Sequence, residues 1–341
     1  MTPRRDVRGT ILAIETSCDD TCAAVVTDDG EILSNVISSQ GIHDEYGGVV
    51  PELAARAHVE RCDLVIADAL RTAGIGLDGV GRVAVTRGPG LLGALLVGVQ
   101  AAKAIALARD LPLVAVDHLD GHLLAGTLRP TAFDPPFVAL VASGGHTFLS
   151  RVDAPDRIAE LGSTLDDAAG EAIDKGARML GLPYPGGPHL ERLAAGGDPR
   201  AFDFPVARGV SGMDSSFAGL KTALLYRMRD MDDPERERHR ADLAASYQRA
   251  VVETLVIRVE RALEATGIGR LAVGGGVAAN GPLRERLRGL GVPVAIPDRS
   301  LCTDNAAMIA AVARFRDPVP PEQVAALAPY ATGQRPDVVA A

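Results

Sequence analysis

Apolar residues along this chain fall into short dense runs separated by polar or glycine-rich turns, and into longer stretches of helical period. "TILAIETSCDDTCAAVVT" predicts strand, polar turn, strand, because the residues flanking "ETSCDDT" are apolar and rich in β-branched types. "EILSNVISS" predicts a third strand. "PELAARAHVERCDLVIADALRTAG" opens on Pro51 and Glu52 and keeps helical spacing to Gly74. "GRVAVTRGPG" predicts a strand ending in a Gly-Pro turn, and "LPLVAVD" a further strand. Between them lies "GLLGALLVGVQAAKAIALA", diluted by Gly93 and Gly98 and interrupted by Gln100 and Lys103. That run predicts a buried helix in preference to a membrane span.

The pattern then starts again. "PFVALVASGGHTFLSRV" is strand, Gly/Ser turn, strand. Laid over the first hairpin at a fixed offset, Ala13 meets Ala139, Ser17 meets Ser143 and Thr21 meets Thr147. A repeat of this kind predicts two related α/β domains, each presenting a polar hairpin turn to a shared cleft. Helices dominate afterwards: "TLDDAAGEAIDKGARMLG", "FAGLKTALLYRMRD" and a long segment from Pro234 to Gly267. The dense alternating charge of "PERERHRADL" reads as a solvated face. "RLAVGGGVAANGPLRERLRGLG" predicts strand, glycine turn, helix, and "VPVAIPDRS" a closing strand and loop. "TDNAAMIAAVARFR" predicts a helix with Thr303 or Asp304 as its N-cap. Its return to the first half would make that domain discontinuous: residues 9–135 with 304–341, around a second domain of residues 136–303. The tail "GQRPDVVAA" is expected to fray.

A chain of 341 residues favours two domains, and 47% hydrophobic residues suffice for their cores. Aromatic residues make up only 4%, so those cores must rest on Ala, Val, Leu and Ile. The net charge of −9 argues against a generally basic nucleic-acid binder and leaves that role to a local patch or a second subunit. Cys18, Cys22, Cys62 and Cys302 form no CxxC pair, which suits buried thiols in a reducing compartment. "MTPRRDVRG" lacks the apolar core of a signal peptide. A cytoplasmic location away from any membrane is expected.

Candidate chemistry gathers in four places. In "VDHLDGHLLAG", His118 and His122 stand four apart, on one face if the segment is helical. Two imidazoles so placed can share a metal ion, though a lone helical histidine is more often structural. Asp304 in "CTDNAA" is the candidate third ligand, and a His2Asp set leaves open positions. The turn "VGGGVAAN", ending in Asn280, follows a strand and precedes a helix, so its amides could approach phosphate or ribose. "ASGGHT" and "YPGGPHLE" are two further glycine turns. "ETSCDDT" carries Glu15, Asp19 and Asp20, able to bind a metal–phosphate unit, position a nucleophile or simply face solvent.

In order, "ILAIETSCDDT", "HDEYGGVVPELAARAH", "VTRGPGLLGALLVG", "DHLDGH", "SGGHT", "DDAAGEAIDKGARMLGLPYPGGP", "FAGLKTAL", "VGGGVAANGPLRERL" and "CTDNAAMIA" resemble the universal tRNA threonylcarbamoyltransferase family, over residues 10–316. The resemblance implies an α/β fold of the actin/Hsp70/sugar-kinase type, with two ribonuclease-H-like domains around a nucleotide cleft. It implies transfer of threonylcarbamoyl from threonylcarbamoyl-AMP to the exocyclic amine of adenosine 37 in tRNAs reading ANN codons, with release of AMP. It implies one divalent metal per subunit, Fe2+ or else Zn2+, on His118, His122 and Asp304. Archaeal members add a Tyr ligand just before the SGG turn, where this chain has Val141. Substrate-binding positions map to Val141, Ala142, Ser143, Gly144, Gly145, Asp174, Gly187, Glu191 and Asn280. The implied partners are tRNA, a shorter homologous subunit and a P-loop ATPase.

An aryl amine is a poor nucleophile, so a proton acceptor is expected, with Asp20 or Glu15 in that role. Two other functions compete. The His pair invites a metalloprotease, against which Leu119 stands where HExxH has its base. A nucleotide-binding module without transferase chemistry would also explain the glycine turns.

Overall fold

The computed structural model describes residues 9–46, 48–207 and 209–332. Two compact units divide the chain, one of residues 1–133 with 304–341 and one of residues 134–303. The tail from Gly333 on, expected to fray, lies outside the described residues, as does the segment before Gly9.

The first unit opens with strands β1 (Thr10–Glu15), β2 (Asp20–Thr27) and β3 (Ile32–Ser39) in antiparallel succession. Helix α1 (Pro51–Ala73) follows, with Pro51 in its first turn, where no backbone donor is needed, and Glu52 at the positive end of its dipole. Strand β4 (Arg82–Gly88), helix α2 (Leu92–Arg109), strand β5 (Leu113–Asp117) and the short helix α3 (His118–Leu124) complete this part. β4 adds parallel to β1, and β5 parallel to β4, giving the sheet order β3-β2-β1-β4-β5. Leu12, Ile14, Val83, Val85 and Leu113 from this sheet bury against Cys62, Ile66 and Ala69 of α1 and Val99 and Ala102 of α2.

The helix α2 is not buried throughout, as its apolar run suggested. Ala94, Leu95, Gly98, Val99, Ala102 and Ala106 are buried, while Leu92, Leu96 and Leu107 are exposed by 51%, 46% and 60%. Leu95, Val99 and the small residues take the packed face here while Leu92, Leu96 and Leu107 take the open one, so total hydrophobicity misjudges burial. By length and composition alone α2 could cross a membrane.

The second unit repeats the plan. Strands β6 (Phe137–Ala142), β7 (Thr147–Ala154) and β8 (Arg157–Ser163) are antiparallel neighbours. Helices α4 (Ala169–Met179), α5 (Gly186–Ala194), α6 (Ala218–Arg229), α7 (Asp233–Arg238) and α8 (Arg240–Thr266) intervene before strand β9 (Leu271–Gly274), helix α9 (Gly281–Arg288) and strand β10 (Val294–Ala295). β9 pairs parallel with β6 and β10 with β9, in the order β10-β9-β6-β7-β8. The repeat extends to register: Ala13 pairs with Ala24 in the first hairpin, and Ala139 with Ser150, both 126 residues on, in the second.

Three sequence expectations need correcting here. β8 was not anticipated, because "RIAELGS" is a largely exposed edge strand without apolar alternation. "YPGGPHLE" is not a loop; Gly186 to Glu191 already belong to α5, entered from Pro185. The segment from Pro234 to Gly267 is two helices, broken at His239.

The chain rejoins the first unit in α10 (Ala306–Ala313), which packs on α3, β1 and β2, and ends its described part with α11 (Pro321–Val324). The N-cap of α10 is Asn305, not Thr303 or Asp304. Asn305 is buried and extended, and its Oδ1 accepts from Met308 N at 3.0 Å. An Asn cap satisfies first-turn amides of the helix.

Candidate functional site

The short helix α3 begins where β5 ends. Asp117 caps it by accepting from Leu119 N at 2.8 Å. With the helix started at His118, His122 follows one turn later, and the two rings stand edge to face with centroids 4.9 Å apart. Both imidazoles are buried, His118 to 6% and His122 to 3% exposure. Asp304, just before α10, brings Oδ1 to 3.5 Å from His118 Nε2 and 3.2 Å from His122 Nε2.

Whether a metal fits can be judged from those donors. Ligand atoms from all three residues lie within 4.8 Å of one another. Nitrogen and oxygen donors at about 2.0–2.2 Å from a shared tetrahedral ion would stand roughly 3.3–3.5 Å apart. The donor set, two imidazoles and one carboxylate, suits a borderline divalent ion such as iron or zinc.

Behind His118 stands Glu15, at the end of β1 and fully buried. Its Oε2 lies 2.9 Å from His118 Nδ1 and accepts from Thr86 Oγ1 at 2.5 Å, while Oε1 accepts from Ser17 N. A carboxylate on Nδ1 fixes the ring so that Nε2 points outward as a ligand. Burial works against charge on both partners, but their mutual attraction prevails. His118 is raised to about 9, with Asp304 and Glu15 outweighing desolvation. Glu15 is held below the usual carboxylate range by His118 and by the Thr86 hydroxyl. His122 has no second-nitrogen partner of this kind: its buried Nδ1 lacks a hydrogen bond among the described residues.

Asp20 starts β2, in register with Ser39. Burial raises its carboxyl to about 6, with repulsion from Asp19, Asp304 and Glu15 adding to the effect and a Ser39 hydrogen bond opposing it. A carboxylate that titrates near 6 is matched to accepting a proton at neutral pH. The turn carrying it is latched by His58 of α1, whose Nδ1 lies 2.8 Å from Thr21 Oγ1 and Nε2 3.0 Å from Cys18 O.

The positions mapped to substrate all lie in the second unit. Val141 and Ala142 end β6 and are fully buried, paired with Phe148 and Thr147 of β7. Ser143 closes the following turn on His146, leaving Gly144 and Gly145 exposed. Asp174 on α4 accepts from Gly186 N at 2.8 Å and also bonds the Gly187 amide, which ties α4 to the start of α5. Glu191 on α5 accepts from Asn280 Nδ2 and Gly281 N, both at 3.2 Å. Asn280 also donates to Gln248 at 2.9 Å and caps α9 through Oδ1, so its side chain is spent on holding the turn. Of the three glycines in "VGGGV", Gly275 has the positive φ, +86°, and a Cβ there would stand 2.4 Å from Ala142 O. The turn thereby presses the ends of β9 and β6 together, the side of a parallel pair where ligands of α/β sheets gather.

The family model for tRNA N6-adenosine threonylcarbamoyltransferase matches residues 31–311. The chain belongs to that family. Proteins bearing this name from Geobacter metallireducens, Geobacter sulfurreducens and Symbiobacterium thermophilum are 53%, 54% and 51% identical to it. Those alignments cover 89%, 88% and 90% of this chain and 91%, 89% and 91% of the relatives. Among solved structures, HypF in its phosphate- and nucleotide-bound form matches with a TM-score of 0.61 at 14% identity, over 91% of this chain and 47% of that one. Component A of the Acidaminococcus fermentans (R)-2-hydroxyglutaryl-CoA dehydratase matches with a TM-score of 0.53 at 16% identity, over 89% and 96%. These likenesses concern the fold alone, which is of the actin/Hsp70/sugar-kinase type.

For this member of the threonylcarbamoyltransferase family, sequence reasoning missed Thr86, Ser17 and Asn305. Thr86 and Ser17 act on Glu15, and nothing in their spacing from Glu15 announces it. Asn305 had a local signal, Asn three residues before Met308 at a helix start, which the neighbouring Thr and Asp obscured.

Proposed function

We propose that this chain transfers threonylcarbamoyl from threonylcarbamoyl-AMP to the exocyclic amine of adenosine 37 in tRNAs that read ANN codons. The observation that carries this reading is identity above 50% to transferases of that name along about nine tenths of the chain. In the reaction the amine attacks the carbamoyl carbon, a C–N bond forms, the C–O bond of the mixed anhydride breaks, and AMP leaves with the electron pair. The amine proton passes to Asp20, whose raised pKa fits that task. Glu15, engaged through both oxygens, positions His118 instead.

His118, His122 and Asp304 would hold one divalent ion, iron first and zinc second. Such an ion, when bound, supplies Lewis acidity toward phosphate or carbamoyl oxygens. The adenylate is held at the turn Ser143 to Gly145, which Val141 and Ala142 anchor at the end of β6, with Asp174 and Gly187 on α4 and α5 and with Glu191 and Asn280 supporting the glycine turn after β9. The protein works in the cytoplasm with tRNA, a shorter homologous subunit and a P-loop ATPase. Its acidic balance of −9 is consistent with partners sharing the task of holding RNA.

The protease reading gains nothing from the geometry, since the carboxylate nearest His118 on its far side is sealed from solvent. The test is mass-spectrometric detection of threonylcarbamoyladenosine in unmodified tRNA incubated with adenylate, chain and partners. Product is expected, and its loss in His118→Ala. No product from the complete mixture, or full product from the variant, would refute the proposal.

A further inference from the structure

The last described residues of the chain are fastened to the first unit at several points. Lys103 of α2, 9% exposed, donates to Ala325 O at 2.7 Å and Leu327 O at 3.3 Å. Arg87 donates from Nε to Ala328 O at 2.9 Å and accepts at its own carbonyl from Tyr330 N at 3.0 Å. Val324 and Leu327 sink into the core of α1, α2 and the sheet. The strap therefore runs along the end of β4 and reaches the end of β5 at Tyr330.

There the Tyr330 hydroxyl lies 2.6 Å from Asp117 Oδ2 and 3.0 Å from Gly88 O. It has one proton, and the carboxylate, nearer and charged, is the stronger acceptor. The other oxygen of the same carboxylate caps α3, accepting from Leu119 N. Both lone-pair sides of Asp117 are thus fixed, one by the helix it starts and one by the strap. His118 is the next residue, and a shared ion tolerates only about 0.2 Å of error in its distance to each ligand atom, His118 Nε2 included.

We propose that Tyr330 is a positioning residue for the His118–His122–Asp304 set, acting through Asp117 on the start of α3. This rests on the metal reading above. Outer-shell partners typically carry about 10–100-fold in metal affinity. Tyr330 acts one bond further out, so an effect near tenfold is expected.

The experiment uses the full chain and Co2+. Affinity is read by competition with a chromophoric chelator, and ligand geometry by the visible absorption of the bound ion. Tyr330→Phe keeps the ring and removes only the hydroxyl. It should weaken Co2+ binding about tenfold and shift the visible bands. Lys103→Met loosens the strap without touching Asp117; it should lower Tm and leave affinity and bands as in the wild type. In an Asp117→Asn background, Tyr330→Phe should cost nothing further. Affinity within twofold of wild type in Tyr330→Phe overturns the inference, as does equal weakening by Lys103→Met or full additivity with Asp117→Asn. A wild-type chain that does not bind Co2+ overturns the metal reading itself, and this inference with it.

Discussion

The two hairpins of this protein share a register and differ in chemistry. Ser17 and Ser143 occupy equivalent places, 126 residues apart, at the tips of β1–β2 and β6–β7. Ser17 gives its amide to Glu15 and sets its hydroxyl 3.2 Å from His118 Nδ1. Ser143 turns inward on its own loop, accepting from His146 N at 3.1 Å. The difference traces to the residue two places earlier, Glu15 in one hairpin and the fully buried Val141 in the other. A carboxylate at that place recruits hydroxyl, amide and imidazole into a network suited to a cation. A valine leaves a bare backbone turn with two exposed glycines, suited to a ligand that brings its own charges.

The largest effect should separate the hairpins outright. Asp304→Ala or His122→Ala should abolish stoichiometric metal, read by elemental analysis. Transfer to tRNA should fall by several kcal/mol in barrier, on the order of a thousandfold. Ser143→Ala should leave metal content at the wild-type value. Metal loss in Ser143→Ala would break the division of labour.

Protons compete for the same site. His118 rises from 6.5 to about 9 in the metal-free protein, because Asp304 and Glu15 outweigh its burial. Its contribution to stability is therefore complete below pH 6.5 and lost as pH climbs through about 9. A metal needs the imidazole neutral, so the sign reverses for binding: affinity should rise by about tenfold per pH unit from pH 7 and level off near 9. Titration calorimetry in buffers of different ionisation enthalpy checks this through the proton released. Flat affinity over that interval would contradict the paired state of His118 and Glu15.

Glu15→Gln tests the network that distinguishes the hairpins. The amide keeps the shape but loses the charge on His118 Nδ1, and about 10–100-fold in metal affinity should go with it. The pH at which affinity levels off should fall in the same variant, since the imidazolium loses the charge of Glu15 and keeps that of Asp304. Adenylate binding, measured separately, should stay near wild type.

Much of this arrangement is legible along the chain, and what is not has physical reasons. The hairpins announce themselves because β-branched apolar runs bracket polar turns twice. The i,i+4 histidines follow from helical spacing alone. β8 escapes because an exposed edge strand needs no apolar face, and the mixed exposure of α2 because its leucines fall on both faces. Glu15 shows the deeper limit. Its sequence neighbours are a strand and an acidic turn, while its function comes from Thr86 and His118, 71 and 103 positions away. Pairings at that range are set by the sheet order, which no local pattern contains.

The smallest expected effect belongs to the bare turn. Gly275→Ala forces a side chain into a left-handed backbone and against Ala142 O, so it should destabilise the second unit by about 1–3 kcal/mol. Gly144 differs: a Cβ there meets nothing within 4 Å. Gly144→Ala should therefore keep stability within about 0.5 kcal/mol of wild type by chemical denaturation. If the adenylate lies against the turn's backbone, the same methyl group should still weaken adenylate binding severalfold, since ligand and Cβ would claim one space. The combination is diagnostic, because a decorative surface turn predicts no change in either measurement. Unaltered adenylate affinity in Gly144→Ala would move the ligand away from this turn and leave Val141 as a core residue with no bearing on binding.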